Sequence, residues 1–275
     1  MTGDDRFEEL HDRTLRLQSM FRPRLAVGCA MNRNDREANE SWRRQPNPWR
    51  GVPLSVQFLG RSDYEWALGL QDELVKKKVS GDSTDYLLLL EHEAVFTLGR
   101  GASETDLCGA DCRLGVPVFR INRGGGVTYH GPGQLVAYPI VRLPIPDVRA
   151  YIHFLGEVVV RTCLAFGANV WVDRERIGVW ARGGKIASFG IGLRRWVAFH
   201  GLALNVQKKS VPPFEAIVPC RSPGLVFTSL EAELGRPLEV DSVAVCFADC
   251  FTEAWSLFCE QGRSKWKSSA ATLLG

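Results

Sequence analysis

Cys220 is the cysteine of this chain whose neighbours best suit nucleophilic chemistry. The chain has eight cysteines among 275 residues, and Cys220 lies in a polar loop segment, residues 217–224, where Arg221 adds positive charge beside the sulfur. Reactive groups tend to lie on loops of a rigid scaffold. A thiol reacts as its thiolate, which a nearby cation or base must stabilise. Position alone favours an inert loop cysteine, so a partner is needed to make Cys220 a nucleophile.

Lys185 is a candidate for that partner. It follows two glycines and enters an apolar segment, residues 186–190, so we expect its ammonium to point into a pocket rather than into water. A cation close to a thiol lowers the thiol pKa. A fall of about two from the usual value near 8.5 makes most of the sulfur thiolate at pH 7. The alternative is a lysine at a strand end whose stem reaches along the surface to water.

A glycine-rich stretch, residues 123–139, is a candidate binding wall. It opens with Arg123 and three consecutive glycines, and a Thr-Tyr-His triplet and a Gly-Pro-Gly turn follow. Glycine suits positions where the backbone needs a positive φ or where a ligand approaches it closely. A cation, exposed amides and three hydrogen-bonding side chains beside such a gap indicate binding. The glycines alone fit a simple hairpin equally well, because short glycine motifs are weak signals.

His200 and His130 are candidates for a base or an orienting group, and each is equally compatible with a structural role. His200 opens a strand segment, residues 200–206, in which Gly201 and Ala203 are small, so something can pack closely there. The sequence shows neither a Ser-His-Asp order nor a His-Glu-x-x-His metal helix. These histidines therefore name no chemistry without the residues around them.

The composition is that of an ordinary globular protein. Hydrophobic residues make up 45% and charged residues 24%, and the net charge of +3 is too mild to indicate a nucleic-acid partner. We find no uninterrupted apolar run of the roughly 18 residues that a membrane span needs, nor a secretory or transit signal. We therefore expect a cytoplasmic protein with reduced thiols. Cys108 and Cys112 lack a second pair of ligands, so we expect no metal site.

The elements that must position these residues alternate without regular β-α-β order. Strands are predicted over 54–59, 86–90, 95–98, 118–121 and 135–141, with an antiparallel meander over 169–206. Helices are predicted from a capping box at Ser62 and Glu65 to about Lys77, from residue 148, after a second box at Thr228 and Glu231, and over 241–260. The pattern predicts an α+β fold with a mixed, largely antiparallel sheet core and flanking helices.

The domain organisation follows from a change in composition near residue 50. Residues 1–50 are predicted to be a variable, partly ordered N-terminal extension, rich in arginine and without lysine. Residues 51–265 are predicted to form a single domain that carries all the candidate groups above. Residues 266–275 are predicted to be a frayed C-terminus.

Five segments, taken in order, resemble one family: the lipoyl(octanoyl) transferases of the biotin/lipoate protein ligase superfamily, whose fold is class II synthetase-like. The resemblance covers about residues 54–235. The run Arg-Gly-Gly-x-x-Thr-Tyr-His-x-x-Gly-Gln is specific to the transferases within that superfamily. The matching segments are residues 91–100, 123–139, 184–188, 200–205 and 219–220.

The resemblance implies a cysteine/lysine dyad in a catalytic acyltransferase domain that performs the first step of endogenous protein lipoylation. Cys220 would attack the octanoyl thioester on the phosphopantetheine of acyl carrier protein and hold a thioester acyl-enzyme. Lys185 would lower the thiol pKa and shuttle protons. The acceptors would be lysines on lipoyl domains of 2-oxoacid dehydrogenase E2 subunits and on the glycine cleavage H protein. No cofactor is implied.

The resemblance also implies which residues bind the substrate. The glycine-rich wall and two facing strand segments would line the acyl pocket. The residues are Arg123, Gly124, Gly125, Gly126, Val127, Thr128, Tyr129, His130, Ser188, Phe189, Gly190, His200, Gly201, Leu202 and Ala203.

Two other functions fit the same fold class. An ATP-dependent lipoate or biotin ligase would need an adenylate site and no nucleophilic cysteine, and the Cys220–Lys185 pair and the Thr-Tyr-His run speak against it. A non-catalytic relative would only bind lipoyl domains. The chain departs from the family pattern at residues 221–224, which replace a short glycine-containing step, and in residues 1–50.

Overall fold

The computed structural model describes residues 53–108, 114–173, 175–218 and 224–272, with side chains described as far as residue 260. The predicted extension over residues 1–50 and the dyad cysteine Cys220 both lie outside these ranges. Strands in the described ranges are β1 (Leu54–Ser62), β2 (Asp85–His92), β3 (Val95–Leu98), β4 (Val118–Arg120), β5 (Val127–His130), β6 (Gln134–Arg142), β7 (Val170–Val172), β8 (Val179–Ala181), β9 (Gly184–Arg194) and β10 (Val197–Asn205). Helices are α1 (Tyr64–Val79), α2 (Val148–Ala165), α3 (Leu230–Leu234) and α4 (Val240–Thr272), with 3-10 turns at Glu104–Leu107, Lys208–Ser210 and Pro212–Ala216.

The strands form two sheets. The larger has the order β1-β2-β6-β10-β9-β8-β7, and the smaller has the order β4-β3-β5. In the larger sheet β1 and β2 pair in parallel and the other neighbours pair antiparallel. The meander β7 to β10 is therefore as predicted, and the predicted α+β class with a mixed, largely antiparallel sheet is confirmed.

Helices cover both faces of the larger sheet. Alternate side chains of a strand point to opposite faces, so each face needs its own apolar cover. One apolar cluster joins the sheet to α1, and a larger one joins it to α2 and α4. A third cluster lies under the smaller sheet and includes Phe96, Phe214 and Ile217. The two sheets are linked by the glycine-rich stretch, where the Gly124 amide donates to the Ile191 carbonyl of β9 and the Gly126 carbonyl accepts from the Gly99 amide, just after β3.

α4 is longer than predicted and strongly apolar. Its backbone is helical to Thr272, beyond the predicted end at residue 260. Its segment Val240–Glu260 is long and apolar enough to cross a membrane. Phe247, Phe251 and Phe258 on this segment are buried in the cluster shared with α2. Packing inside the fold accounts for this apolar character. The predicted fraying of residues 266–275 stays a prediction.

The predicted cap of α1 is wrong by one residue. Asp63, not Ser62, is the N-cap, and its carboxylate accepts a hydrogen bond from the Trp66 amide at 2.9 Å. Ser62 is the last residue of β1, and its hydroxyl donates to the Leu59 carbonyl at 3.0 Å. An aspartate and a serine are about equally good N-caps. Here Ser62 is part of β1, so the next polar residue, Asp63, caps the helix.

The predicted cap of α3 is wrong in the same way. Ser229, not Thr228, accepts the hydrogen bond from the Ala232 amide, at 3.2 Å. Thr228 instead donates its hydroxyl to Glu233 at 2.7 Å, and its backbone amide donates to Lys185. Thr228 is therefore bonded to β9 at the candidate lysine rather than capping the helix.

Candidate active site

Lys185 is a buried lysine held by its backbone from two sides. Its residue is 4% exposed, so it points away from water as expected and the surface-lysine alternative is wrong. It lies opposite Trp180 in the β8–β9 pairing. On its other side its amide donates to the Val226 carbonyl at 2.9 Å, and its carbonyl accepts from the Thr228 amide at 3.0 Å. At Lys185, β9 thus pairs with a second neighbour, the segment of residues 226–228.

An irregularity in β9 turns Lys185 away from the main core. Val179 pairs with Ala187 while the next residue, Trp180, pairs with Lys185, so Ile186 is an extra residue on the β9 side. Such a bulge re-aims side chains and is frequent beside active sites. Ile186 and Ala187 both pack in the core shared with α2 and α4. In a regular strand Lys185 would share a face with Ala187, so the bulge keeps the ammonium out of that core.

Cys220 lies within residues 219–223, outside the described residues, but the chain on either side is well placed. Upstream, the Val218 amide donates to the Asp106 carbonyl at 2.7 Å. Downstream, Phe227 forms an isolated bridge with Lys185, and it follows Cys220 by only seven positions. The rings of Phe214 and Phe227 stack with centroids 4.0 Å apart. The chain before the cysteine segment therefore packs against the chain after it, and the chain after it pairs with β9.

The Arg123 side chain is buried and hydrogen-bonded within the protein. It is 6% exposed, and its Nη2 donates to both the carbonyl and the hydroxyl of Thr97 at 2.8 Å. Its Nη1 donates to the Gly124 carbonyl at 3.0 Å. A Cβ on Gly190 would stand 2.7 Å from Arg123 Cδ, and one on Gly99 would stand 2.8 Å from Nη1. Gly190 therefore makes room for the arginine side chain, and Gly99 makes room for that side chain and, more closely still, for the Gly125 carbonyl.

The three glycines after Arg123 meet the protein's own backbone. The carbonyls of Gly125 and Gly126 accept hydrogen bonds from the amides of Gly101 and Gly99, at 3.0 and 3.2 Å. The Gly124 amide donates to the Ile191 carbonyl of β9 at 3.0 Å. Gly125 has φ +89°, a backbone conformation that favours glycine. The glycine run therefore joins the two sheets, and its contact with an acyl chain stays a prediction.

The predicted wall residues on β5 divide between two faces. Val127 and Tyr129 pack in the cluster under the smaller sheet, and the Tyr129 ring lies 6.0 Å from that of Phe214. His130 faces the other way, toward Tyr64, with ring centroids 6.4 Å apart. Period-two alternation requires this split. Thr128, half-buried, shares the side of His130 by the same alternation, so the β5 residues cannot all line one pocket.

The predicted residues on β9 and β10 are brought together by strand pairing. Ser188, Phe189 and Gly190 lie opposite Ala203, Leu202 and Gly201, and all three β9 residues are half-buried. Leu202 packs in the core with α2 and α4, whereas Ala203 packs on the α1 side.

Gly201 is small because the neighbouring strand requires it. A Cβ there would collide with the Ala137 carbonyl, and it would stand 2.8 Å from Pro139 Cδ. Both contacts belong to β6, so packing between strands accounts for this glycine without an acyl chain.

A chain of buried amides links His130 to the Lys185 region, and it was missed in the predicted set. His130 Nδ1 lies 2.8 Å from Gln134 Oε1, and Gln134 Nε2 donates to Asn205 Oδ1 at 2.9 Å. Asn205 Nδ2 donates to the Thr228 carbonyl at 3.1 Å. Because Gln134 Oε1 can only accept, His130 carries its proton on Nδ1 and leaves Nε2 as an acceptor. Both amides lie in the family-like segments, which was the signal available.

His92, His130 and His200 are neutral imidazoles at neutral pH. Burial lowers the pKa of His92 to about 4 and of His130 and His200 to about 3. The positive charge of Arg123 lowers the pKa of His130 and His200 further. His92 is satisfied at both nitrogens, by the Ser62 carbonyl and the Tyr138 hydroxyl. Such groups can accept or donate hydrogen bonds, but they do not supply a cation.

Because the three buried histidines resist protonation, we expect the folded protein to be less stable in mild acid. Between about pH 6.5 and 4 the unfolded chain binds protons that the folded chain excludes, so the free energy of unfolding rises with pH across that range. Each histidine is expected to lower the free energy of unfolding by up to about 2 kcal/mol when the pH falls from 7.5 to 5. Burial raises the pKa of Asp85, which acts with the opposite sign and reduces the net loss. Urea unfolding at the two pH values measures the effect, and an equal or higher midpoint at pH 5 would contradict it.

Comparison with known proteins gives concordant results. Residues 63–252 match the lipoyl protein ligase A/B catalytic domain family. The chain is 41% identical over 192 residues to an octanoyltransferase of Geobacter metallireducens, covering 69% of this chain and 88% of that protein. It is 43% identical over 200 residues to an octanoyltransferase of Rubrobacter xylanophilus, covering 70% and 90%.

Solved structures show the same fold at low identity. A bipartite lipoate protein ligase from Thermoplasma acidophilum, whose structural study includes its E2 lipoyl domain, superimposes with a TM-score of 0.62 at 15% identity, covering 75% of this chain and 85% of that one. Lipoate-protein ligase A bound with ATP gives a TM-score of 0.60 at 17% identity, covering 74% and 85%.

Proposed function

Because this chain belongs to the octanoyltransferases of the lipoyl protein ligase A/B catalytic family, we propose that its octanoyl transfer proceeds through a thioester on Cys220 with Lys185 as the partner of the thiol. The donor is octanoyl-acyl carrier protein, and the acceptor is a lysine amine on a lipoyl domain. The observation that carries this mechanism is Lys185 itself, buried at a strand bulge and bonded through its backbone to the segment that follows Cys220.

The first half-reaction exchanges one thioester for another. Cys220 Sγ attacks the acyl carbonyl, a new carbon–sulfur bond forms, and the bond to the phosphopantetheine sulfur breaks. Lys185 takes the proton of the Cys220 thiol and returns it to the departing thiolate. The energies of the two thioesters nearly balance, so the step needs no ATP.

The second half-reaction forms the amide. The acceptor lysine amine attacks the acyl-enzyme carbonyl, the Cys220 thiolate leaves, and Lys185 carries the amine proton to it. Thioester to amide is downhill. A covalent intermediate divides the transfer in two, so the two protein substrates need not bind together.

The surroundings of the reaction follow from its chemistry. The acyl group arrives on the donor, so the transfer requires no resident cofactor or metal. On the glycine-rich wall, the side that carries Thr128 and His130 is the one we propose for the acyl chain, together with the half-buried residues Ser188, Phe189 and Gly190. The cytoplasm is the compartment we propose, because it keeps the Cys220 thiol reduced.

An ATP-free transfer assay tests this function. Incubation with octanoyl-acyl carrier protein alone is expected to give an octanoyl adduct in the intact mass, and addition of an unmodified lipoyl domain is expected to discharge it onto that domain. Transfer that requires free octanoate and ATP would indicate a ligase instead. Lipoyl-domain binding with neither adduct nor transfer would indicate a non-catalytic binding protein.

A further inference from the structure

Gly178, just before β8, occupies the space beside the Lys185 side chain. A Cβ at residue 178 would stand 2.5 Å from Lys185 Cε and 3.2 Å from its Nζ. It would also stand 2.9 Å from the Ala187 carbonyl. Side-chain carbons do not approach neighbours that closely, so any residue other than glycine here displaces the lysine stem or shifts β9. Gly178 also has φ +151°.

Trp180 supplies the other contact of the lysine on β8. The Lys185 Nζ lies 6.0 Å from the centre of its ring, at the outer limit of a cation–π attraction. The indole is 6% exposed, and its Nε1 donates to the Arg176 carbonyl at 3.2 Å. The Arg176 guanidinium stacks on the same ring at 3.9 Å and is itself held by Asp173 at 2.6 Å. The Trp180 ring is therefore held in place by contacts that do not involve the lysine.

We propose that Gly178 and Trp180, together the lysine seat, are positioning residues that set where the Lys185 ammonium stands. The β9 bulge directs the stem across β8, the missing side chain at residue 178 leaves its path open, and the indole borders its end. This role rests on the proposed function of Lys185. A reacting group held about 1 Å from its productive place loses up to about a hundredfold in rate, so the seat matters although neither residue touches substrate.

The test compares two glycine variants. Gly178→Ala is expected to slow adduct formation from octanoyl-acyl carrier protein by about tenfold or more, and to move Cys220 alkylation by iodoacetamide toward higher pH. Gly81→Ala is the matched control, since Gly81 has φ +110° but nothing within 4 Å of a Cβ there. It bears a similar backbone strain, and we expect less than about a twofold change in rate.

A double variant separates positioning from general damage. If the seat acts through Lys185, Gly178→Ala combined with Lys185→Ala is no slower than Lys185→Ala alone. If Gly178→Ala does not fold, Trp180→Phe enters the same cycle with the same expectation. A Gly178→Ala variant with the wild-type rate and alkylation profile overturns the seat, and so does a double variant slowed by the full product of the single effects. An unchanged alkylation profile in Lys185→Ala overturns the dyad, and with it this role.

Discussion

Replacing Cys220 with serine is expected to abolish the octanoyl adduct and to reduce transfer to the lipoyl domain below detection. A serine hydroxyl stays protonated where a thiol beside a cation is largely ionised, and Lys185 is suited to a thiol rather than to an alcohol. The residue volume changes little, so the fold is expected to persist. Intact-mass spectrometry after incubation with the acyl donor measures the result directly.

Cys108 provides the matched control for that experiment. It is exposed, and its thiol donates to the Thr105 carbonyl at 3.6 Å. Cys108→Ser is therefore expected to keep the full adduct. An adduct that persisted in Cys220→Ser would falsify the assignment of the nucleophile, and loss of the adduct in Cys108→Ser would move it to a residue that the sequence did not favour.

Replacing Lys185 with alanine is expected to lower transfer by about 10²–10⁴-fold, the range of a lost general acid–base group. It is also expected to raise the pH at which iodoacetamide alkylates Cys220. The sign follows from the charge: an ammonium beside the thiol favours the thiolate and lowers the thiol pKa, so its removal raises that pKa. The alkylation rate as a function of pH measures it.

Lys185→Met distinguishes charge from volume in that prediction. Methionine fills most of the space of the buried stem without the ammonium, so a loss shared by alanine and methionine comes from the charge. Recovery in the methionine variant alone would indicate that the lysine only fills a cavity. An alkylation profile unchanged in both variants removes the dyad and leaves Cys220 as the nucleophile without a cationic partner.

The order of elements was predictable because each element carries a local pattern. The meander from β7 to β10 is a series of short apolar runs separated by turn residues at 182–184 and 194–195, and such a pattern identifies strands without knowledge of their partners. Boundaries were harder. Ser62 and Asp63 are both good caps, and only the extent of β1 decides between them. α4 likewise runs past its predicted end at residue 260, to Thr272.

The site was predictable in its residue types and less so in its geometry. Burial of Lys185 followed from the apolar residues after it, but the bulge at Ile186 that aims its side chain depends on β8. The division of the β5 residues between two faces depends on the pairing of β3 with β5. The buried relay through Gln134 and Asn205 joins residues 71 positions apart, a distance that no local pattern spans.

The amino-acid sequence by itself determined the family-like segments, the α+β class and the residues with the right chemistry for acyl transfer, because these depend on residue type and local spacing. Only the tertiary structure decided what the glycines are for. Gly190 gives space to Arg123, Gly201 gives space to β6, and Gly178 gives space to Lys185, while Gly99 gives space to the Gly125 carbonyl as well as to Arg123. A missing side chain is the same in every sequence context, and its meaning depends on which atoms the fold brings into the space it leaves.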